Sequence, residues 1–165
     1  IWFETFANLI RKPWRFTKRS RRPPADPVNA LLSLGYTCLY QRTAVLVEAL
    51  GLESSLGTLH AFRSGRLSLV CDLMEPLRVL AVDRWVIHTC NQLRYLNPDR
   101  DFEPDESGGV KLTAAKLDEV LAQWERHWYQ RDLQVVLDRT VRDFVGQLRE
   151  LGEYLPGLKK RLERG

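Results

Sequence analysis

Between Asp26 and Gly51 the chain carries an apolar stripe, Val28, Leu31, Leu32, Gly35, Leu39, Leu46 and Leu50, whose spacing fits one face of a long α-helix. Its ends are marked as clearly as its middle. Asp26 is a good N-cap, Pro27 a good first helical residue, and Gly51 a natural stop. Such a helix needs other apolar faces to bury its own, and the flanking sequence supplies them at the same period. Ile1, Trp2, Phe3, Phe6, Leu9 and Ile10 read as a helix that the Lys12-Pro13 pair stops, because the residue before a proline is pushed out of the helical region. Leu69, Leu73, Leu77, Leu80 and Trp85 predict a second stretch reaching about Asn91, which Pro76 either opens from near Asp72 or kinks. Thr113 opens a helix to about Arg131. Leu133, Val136, Leu137, Phe144, Leu148, Leu151 and Leu155 then predict further helix with a basic end at Lys159, Lys160 and Arg161. Strand-like alternation is confined to a weak instance at 67–71. The class predicted is all-α: one multi-helix domain over residues 1–165, with 97–109, NPDRDFEPDESGG, as a loop or mobile hairpin.

With 44% hydrophobic residues among 165, the chain can bury one core. Because it opens in helical phase and without an initiator Met, it is expected to be a fragment. The net charge of +4 is concentrated in a basic linker, residues 11–26. Seven of the 25 Lys and Arg lie in residues 11–22, RKPWRFTKRSRR, with no acid among them, so elsewhere 18 basic residues face 21 acidic ones. A charge that local suits contact with a polyanion better than general basicity does. The three cysteines, Cys38, Cys71 and Cys90, are odd in number and set among apolar residues, which suits reduced core thiols and a cytoplasmic location. No apolar run reaches the roughly 18 residues a spanning helix needs and no leader pattern opens the chain, so a soluble protein without a membrane partner is expected.

His60 falls in a Gly- and Ser-containing loop over 52–66, with Asp72 and Glu75 following twelve and fifteen residues later. On a helix the two carboxylates would share one side, about 5–6 Å apart. One imidazole converging with two carboxylates suits Mn²⁺ or Mg²⁺, which prefer oxygen-rich ligation. The plainer reading is that the acids complement the macrodipole of a helix's first turn while His60 bonds to backbone. In the linker, Arg15, Lys18, Arg19, Arg21 and Arg22 are candidates, as a group, for phosphate contacts that neutralise charge without reading sequence. Trp14 and Phe16 interleave with them and suit stacking on a frayed base, with core anchoring the plainer role for Trp14.

Three segments, RRPPADPVNALLSLGYTCLY at 21–40, LGTLHAFRSGRLSLVCDLMEPLRVLAVDRWV at 56–86 and GGVKLT at 108–113, closely resemble the C-terminal helical domain of the CRISPR-associated endonuclease that integrates new spacers, the first Cas protein. The match runs from about Trp2 to Thr113; residues 114–165 match only in being helical. The resemblance implies a divalent ion, Mn²⁺ or Mg²⁺, held by His60 and Glu75, with Asp72 at an additional acidic position near the metal and Tyr40 near the catalytic centre. It further implies a metal-ligating Glu on an earlier helix, outside this chain and not equivalent to Glu4, so weakened metal affinity and little activity are expected of these residues alone. Thr58 stands where the family usually has an aromatic, which implies a looser hold on His60.

The activity implied is transesterification, in which the 3′-hydroxyl of a captured DNA end attacks a phosphodiester at a CRISPR repeat boundary. The implied partners are double-stranded DNA, as prespacer and repeat, a second copy of the chain in a homodimer, and the small second CRISPR adaptation protein. The competing expectation is a catalytically incomplete helical module that grips DNA or a protein. Asn29 and Arg84 lie within the matching segments and are expected to tie helices together, Arg84 through an acid. His88 and His127 have no acidic or Cys partner at ligand spacing and read as surface or core residues. Trp124, Trp128 and Tyr129 suit core packing or a subunit interface.

Overall fold

The computed structural model describes residues 2–60, 65–92 and 96–162, and the side chains of its last helix as far as residue 152. Six helices account for most of it: α1 (Trp2–Leu9), α2 (Pro27–Ala49), α3 (Ser68–Met74), α4 (Arg84–Asn91), α5 (Ala114–Gln130) and α6 (Leu133–Leu162). A small antiparallel hairpin, β1 (Phe102–Pro104) with β2 (Val110–Leu112), pairs Phe102 with Leu112 and Glu103 with Lys111. The all-α class holds. The polar stretch at 97–109 does form a hairpin, and its second strand reaches Leu112.

α2 is the axis on which α3, α4, α6 and β2 pack. It starts and stops where its capping residues dictate. Asp26 accepts the Asn29 N–H at 2.8 Å, and Gly51 follows the helix at φ +67°, a conformation glycine adopts without strain. Gly35 sets the approach of its neighbour, since a Cβ there would lie 2.8 Å from Val82 Cγ1 and 3.2 Å from the Trp85 ring. Any larger side chain would push α2 away from the segment leading into α4.

Pro76 deforms the second helical stretch without ending it. α3 begins at Ser68, ahead of Asp72, and gives way at Glu75–Leu77 to a 3₁₀ turn that contains the proline. A π turn, Arg78–Asp83, then restores the phase for α4. The strand alternation at 67–71 is overturned, because Leu69 and Val70 are both buried on one short helix.

The linker is fastened to the core by its aromatics. Phe16 packs edge-on to Phe6 at 5.1 Å, and Trp14, 4% exposed, packs edge-on to Phe102 at 5.9 Å. Of the two roles open to Trp14 and Phe16 the structure takes core anchoring; burial leaves neither face open for a base. Trp85, Trp124 and Trp128 stack in sequence beneath α5, and Arg42 lies 4.7 Å over Trp128 while pairing with Glu125. Trp124 and Trp128 are therefore core residues, whereas Tyr129 is exposed. Cys38, Cys71 and Cys90 are free thiols. Among the described residues no helix is long and apolar enough to cross a membrane.

Candidate active site

Asp72, on α3, has a side chain only 4% exposed, a position a carboxylate tolerates only when its oxygens are fully bonded. The turn before α3 supplies that bonding. The N–H groups of Thr58, Leu59 and His60 all donate to it, Leu59 at 2.9 Å and His60 at 3.0 Å, and the Thr58 hydroxyl adds a contact at 3.3 Å. Its Oδ1 also bonds the Nδ1 of His60. Burial alone would raise the pKa of Asp72, but the Leu59 N–H, the His60 ring and the other donors outweigh it and hold the group below the usual carboxylate range.

That arrangement decides what His60 can do. With Nδ1–H committed to Asp72, the neutral ring keeps a lone pair on Nε2, and the side chain remains 34% exposed. Asp72 holds the imidazole by its far nitrogen, as metal-ligating histidines are commonly held. Thr58 joins the turn to Asp72 through its N–H and, at 3.3 Å, its hydroxyl. Gly57 is a site residue that spacing did not single out. A Cβ there would lie 2.6 Å from the His60 carbonyl oxygen and 2.9 Å from Asp72 Oδ2, so only glycine lets the turn close on the carboxylate.

Glu75 stands in the 3₁₀ turn, more than a third exposed, and accepts from Arg78 Nη1 at 2.7 Å. The Arg78 guanidinium lies 4.6 Å over the Tyr36 ring, whose hydroxyl donates to Asp83 at 2.5 Å; Asp83 also accepts Trp2 Nε1 at 2.8 Å. A continuous set of contacts therefore runs from α1 to the Glu75 carboxylate. Arg78 was also missed by the sequence reading, although an opposite charge three residues after Glu75 was a usable signal.

His60, Glu75, Arg78 and Tyr40 line one cavity of about 810 Å³, with Arg19, Arg21 and Arg22 on its wall. Asp72 is not on that wall: it is bonded behind His60, so one imidazole and one carboxylate share the cavity rather than one and two. Arg21 and Arg22 are exposed. Arg19 is half-spent on structure, donating to Asn29 Oδ1 at 3.0 Å, Ser33 Oγ at 3.1 Å and the Ser20 carbonyl. Arg15 and Lys18 are exposed but lie off this cavity's wall. Asn29 ties segments together as expected, its Nδ2 reaching the Lys18 carbonyl at 3.0 Å and its Oδ1 taking the Ser20 N–H at 2.9 Å. Arg84 does not, since among the described residues it has no carboxylate partner.

The donor chemistry fits part of a hard divalent ion's shell. A fixed imidazole nitrogen and a carboxylate suit Mn²⁺ or Mg²⁺, and the Cys71 thiol on the same cavity is pushed up by burial, away from the thiolate a zinc site would use. Among the described residues, no group of three His, Cys, Asp or Glu comes together as a metal site.

The fold and site define a helical scaffold that presents an oriented imidazole and a carboxylate beside a wall of arginines. Comparison with known proteins makes that class specific. The family model for CRISPR associated protein Cas1 matches residues 1–126. The CRISPR-associated endonuclease Cas1 2 of Rhodospirillum rubrum is 43% identical over 128 residues, covering 76% of this chain and 37% of the relative. A Cas1 1 endonuclease of Thermodesulfovibrio yellowstonii is 35% identical over 158 residues, covering 95% of this chain and 48% of the relative. A solved CAS1 protein from Thermotoga maritima superposes with a TM-score of 0.78 over 87% of this chain and 46% of its own; at 23% identity that is a likeness of fold. A chain of a partial Cas6-RT-Cas1–Cas2 complex is 32% identical, with a TM-score of 0.68 over 77% of this chain and 39% of its own. The chain belongs to the Cas1 family, and it spans less than half the length of these relatives.

Proposed function

We propose that this chain is the helical catalytic half of a CRISPR adaptation integrase, a divalent-metal-dependent enzyme that acts on DNA phosphodiesters. One observation carries the reading: buried Asp72 fixes the His60 ring by Nδ1, leaving Nε2 available in a cavity shared with Glu75 and flanked by Arg21 and Arg22. His60 and Glu75 would hold the ion, Mn²⁺ or Mg²⁺. When bound, such an ion polarises a phosphodiester and neutralises the departing oxygen.

The chain's own groups do the rest. Arg21 and Arg22 attract and position the phosphate backbone, and Arg78, released from Glu75 while still resting on Tyr36, offers a guanidinium to the same phosphate. Tyr40, on the same wall, would hydrogen-bond a phosphate oxygen or the DNA end through its hydroxyl. The reaction supported is transesterification: a 3′-hydroxyl forms a new P–O bond while the old bond to the array's 3′-oxygen breaks, freeing a 3′-hydroxyl, so the number of phosphodiesters is unchanged. The substrates would be a prespacer duplex and a CRISPR repeat. A similar chain occurs in a partial Cas6-RT-Cas1–Cas2 complex, which supports a small second CRISPR protein as a partner; a second copy of this chain would complete the assembly.

The Glu75–Arg78 ion pair favours one competing reading, in which the carboxylate is spent on arginine and the domain only grips DNA. Strand joining by the protein that carries this chain, assayed in Mn²⁺ beside His60→Ala, separates the two. Loss of joining to background with duplex binding retained supports the integrase, and equal joining by both proteins removes His60 from the mechanism.

A further inference from the structure

A second cavity, of about 920 Å³, opens between α4 and α5 and shares no wall residue with the first. Arg84, Arg126 and Arg131 line it together with Arg11, which the linker brings in from its opposite end. Asn91 fixes that end, its Oδ1 accepting the Arg11 N–H at 3.0 Å and its Nδ2 donating to the Leu9 carbonyl at 2.9 Å. No acid lines the cavity. Among the described residues none of the four guanidinium groups has a carboxylate partner. Four like charges around one hollow repel one another unless an anion enters.

The wall is also short of acceptors. Trp85 is 1% exposed and lines the cavity, and its indole Nε1 has no hydrogen-bond partner. A buried donor left unpaired is unfavourable, and it marks this wall as one built without acceptors of its own.

We propose that this cavity is a second phosphodiester-binding site, which holds the DNA backbone away from the His60–Glu75 site and does no chemistry. It rests on the reading of the chain as a DNA-acting protein and extends it to a separate surface. Phosphate is the chemistry that fits: guanidinium forks match its oxygens two at a time, and four of them exceed the charge of a single carboxylate. Several consecutive backbone phosphates satisfy the count.

The test is the salt dependence of duplex binding by the whole protein. Each lost phosphate contact lowers the slope of log K against log salt by about 0.9. Arg126→Gln combined with Arg131→Gln, both exposed positions, should lower the slope by about two contacts' worth while leaving strand joining at saturating DNA intact. An unchanged slope in that double variant, with the slope reduced in Arg21→Gln/Arg22→Gln, overturns the second site and leaves the proposed function standing. Absence of duplex binding by the unaltered protein overturns both. If polyglutamate, and not the duplex, loses affinity in the double variant, the cavity takes an acidic protein and the proposal falls.

Discussion

The two cavities of this chain are built from the same currency of charge and differ in its balance. Around His60 and Glu75 both signs are present: Glu75 pairs with Arg78, and Arg19, Arg21 and Arg22 share the wall with it. Around Arg84 and Arg131 there is one sign only. The first has the mixed balance that the proposed metal-bound phosphodiester would need. The second is poised for an anion alone. Both are served by one linker, its start at Arg11 and its end at Arg21 and Arg22, held between them by Trp14 and Phe16 in the core.

That shared linker allows the comparison to be broken at one point. Trp14→Ala removes a buried indole packed on Phe102 and should cost about 3–5 kcal/mol of stability, read as a lower midpoint in chemical denaturation. Duplex binding through both cavities should weaken together, whereas a change confined to one would show that the linker's two ends are held independently. Asp72→Asn acts on the first cavity alone. It should lower Mn²⁺ affinity roughly 10- to 100-fold by releasing the imidazole, with the salt slope of DNA binding unchanged. It also carries a pH signature. The folded pKa of Asp72 lies below its unfolded value, so its stabilisation is complete above the ordinary carboxylate value near about 3.9 and is lost as pH falls through the depressed folded value. The Asn variant should lack that part of the acid transition. Arg78→Gln is the smallest effect: freeing Glu75 from a half-exposed ion pair should raise Mn²⁺ affinity about two- to fivefold, while the second cavity is untouched.

What the sequence made legible follows the range of the forces involved. Asp26, Pro27 and Gly51 bound α2 because capping and turn preferences act within a few residues, and the apolar period picked out Phe6 of α1 and Leu133 and Leu137 of α6, which are buried, along with Leu9, Leu148 and Leu151, which are exposed. Pro76 announced a disturbance, but its form as a 3₁₀ turn followed by a π turn depends on packing against α2 and could not be read locally. In the site, His60, Asp72 and Glu75 were picked out together, yet the i, i+3 argument placed both acids on one side. The structure turns Asp72 inward to the N–H groups of residues 58–60 and leaves Glu75 facing the cavity. Gly57 was invisible because its role is a close approach across the chain, not a side-chain property. Arg84 read as an ion-pair partner and has none among the described residues, because a single-sign cavity comes only from the meeting of α4, α5 and the linker.

The central claim is that His60 and Glu75 share a divalent cation, and titrating Mn²⁺ into the whole protein, followed by the electron paramagnetic resonance of the free ion, tests it most directly. Binding should weaken at least tenfold in His60→Ala and again in Glu75→Gln, with Arg126→Gln unchanged. Equal Mn²⁺ affinity in all four proteins would contradict the account.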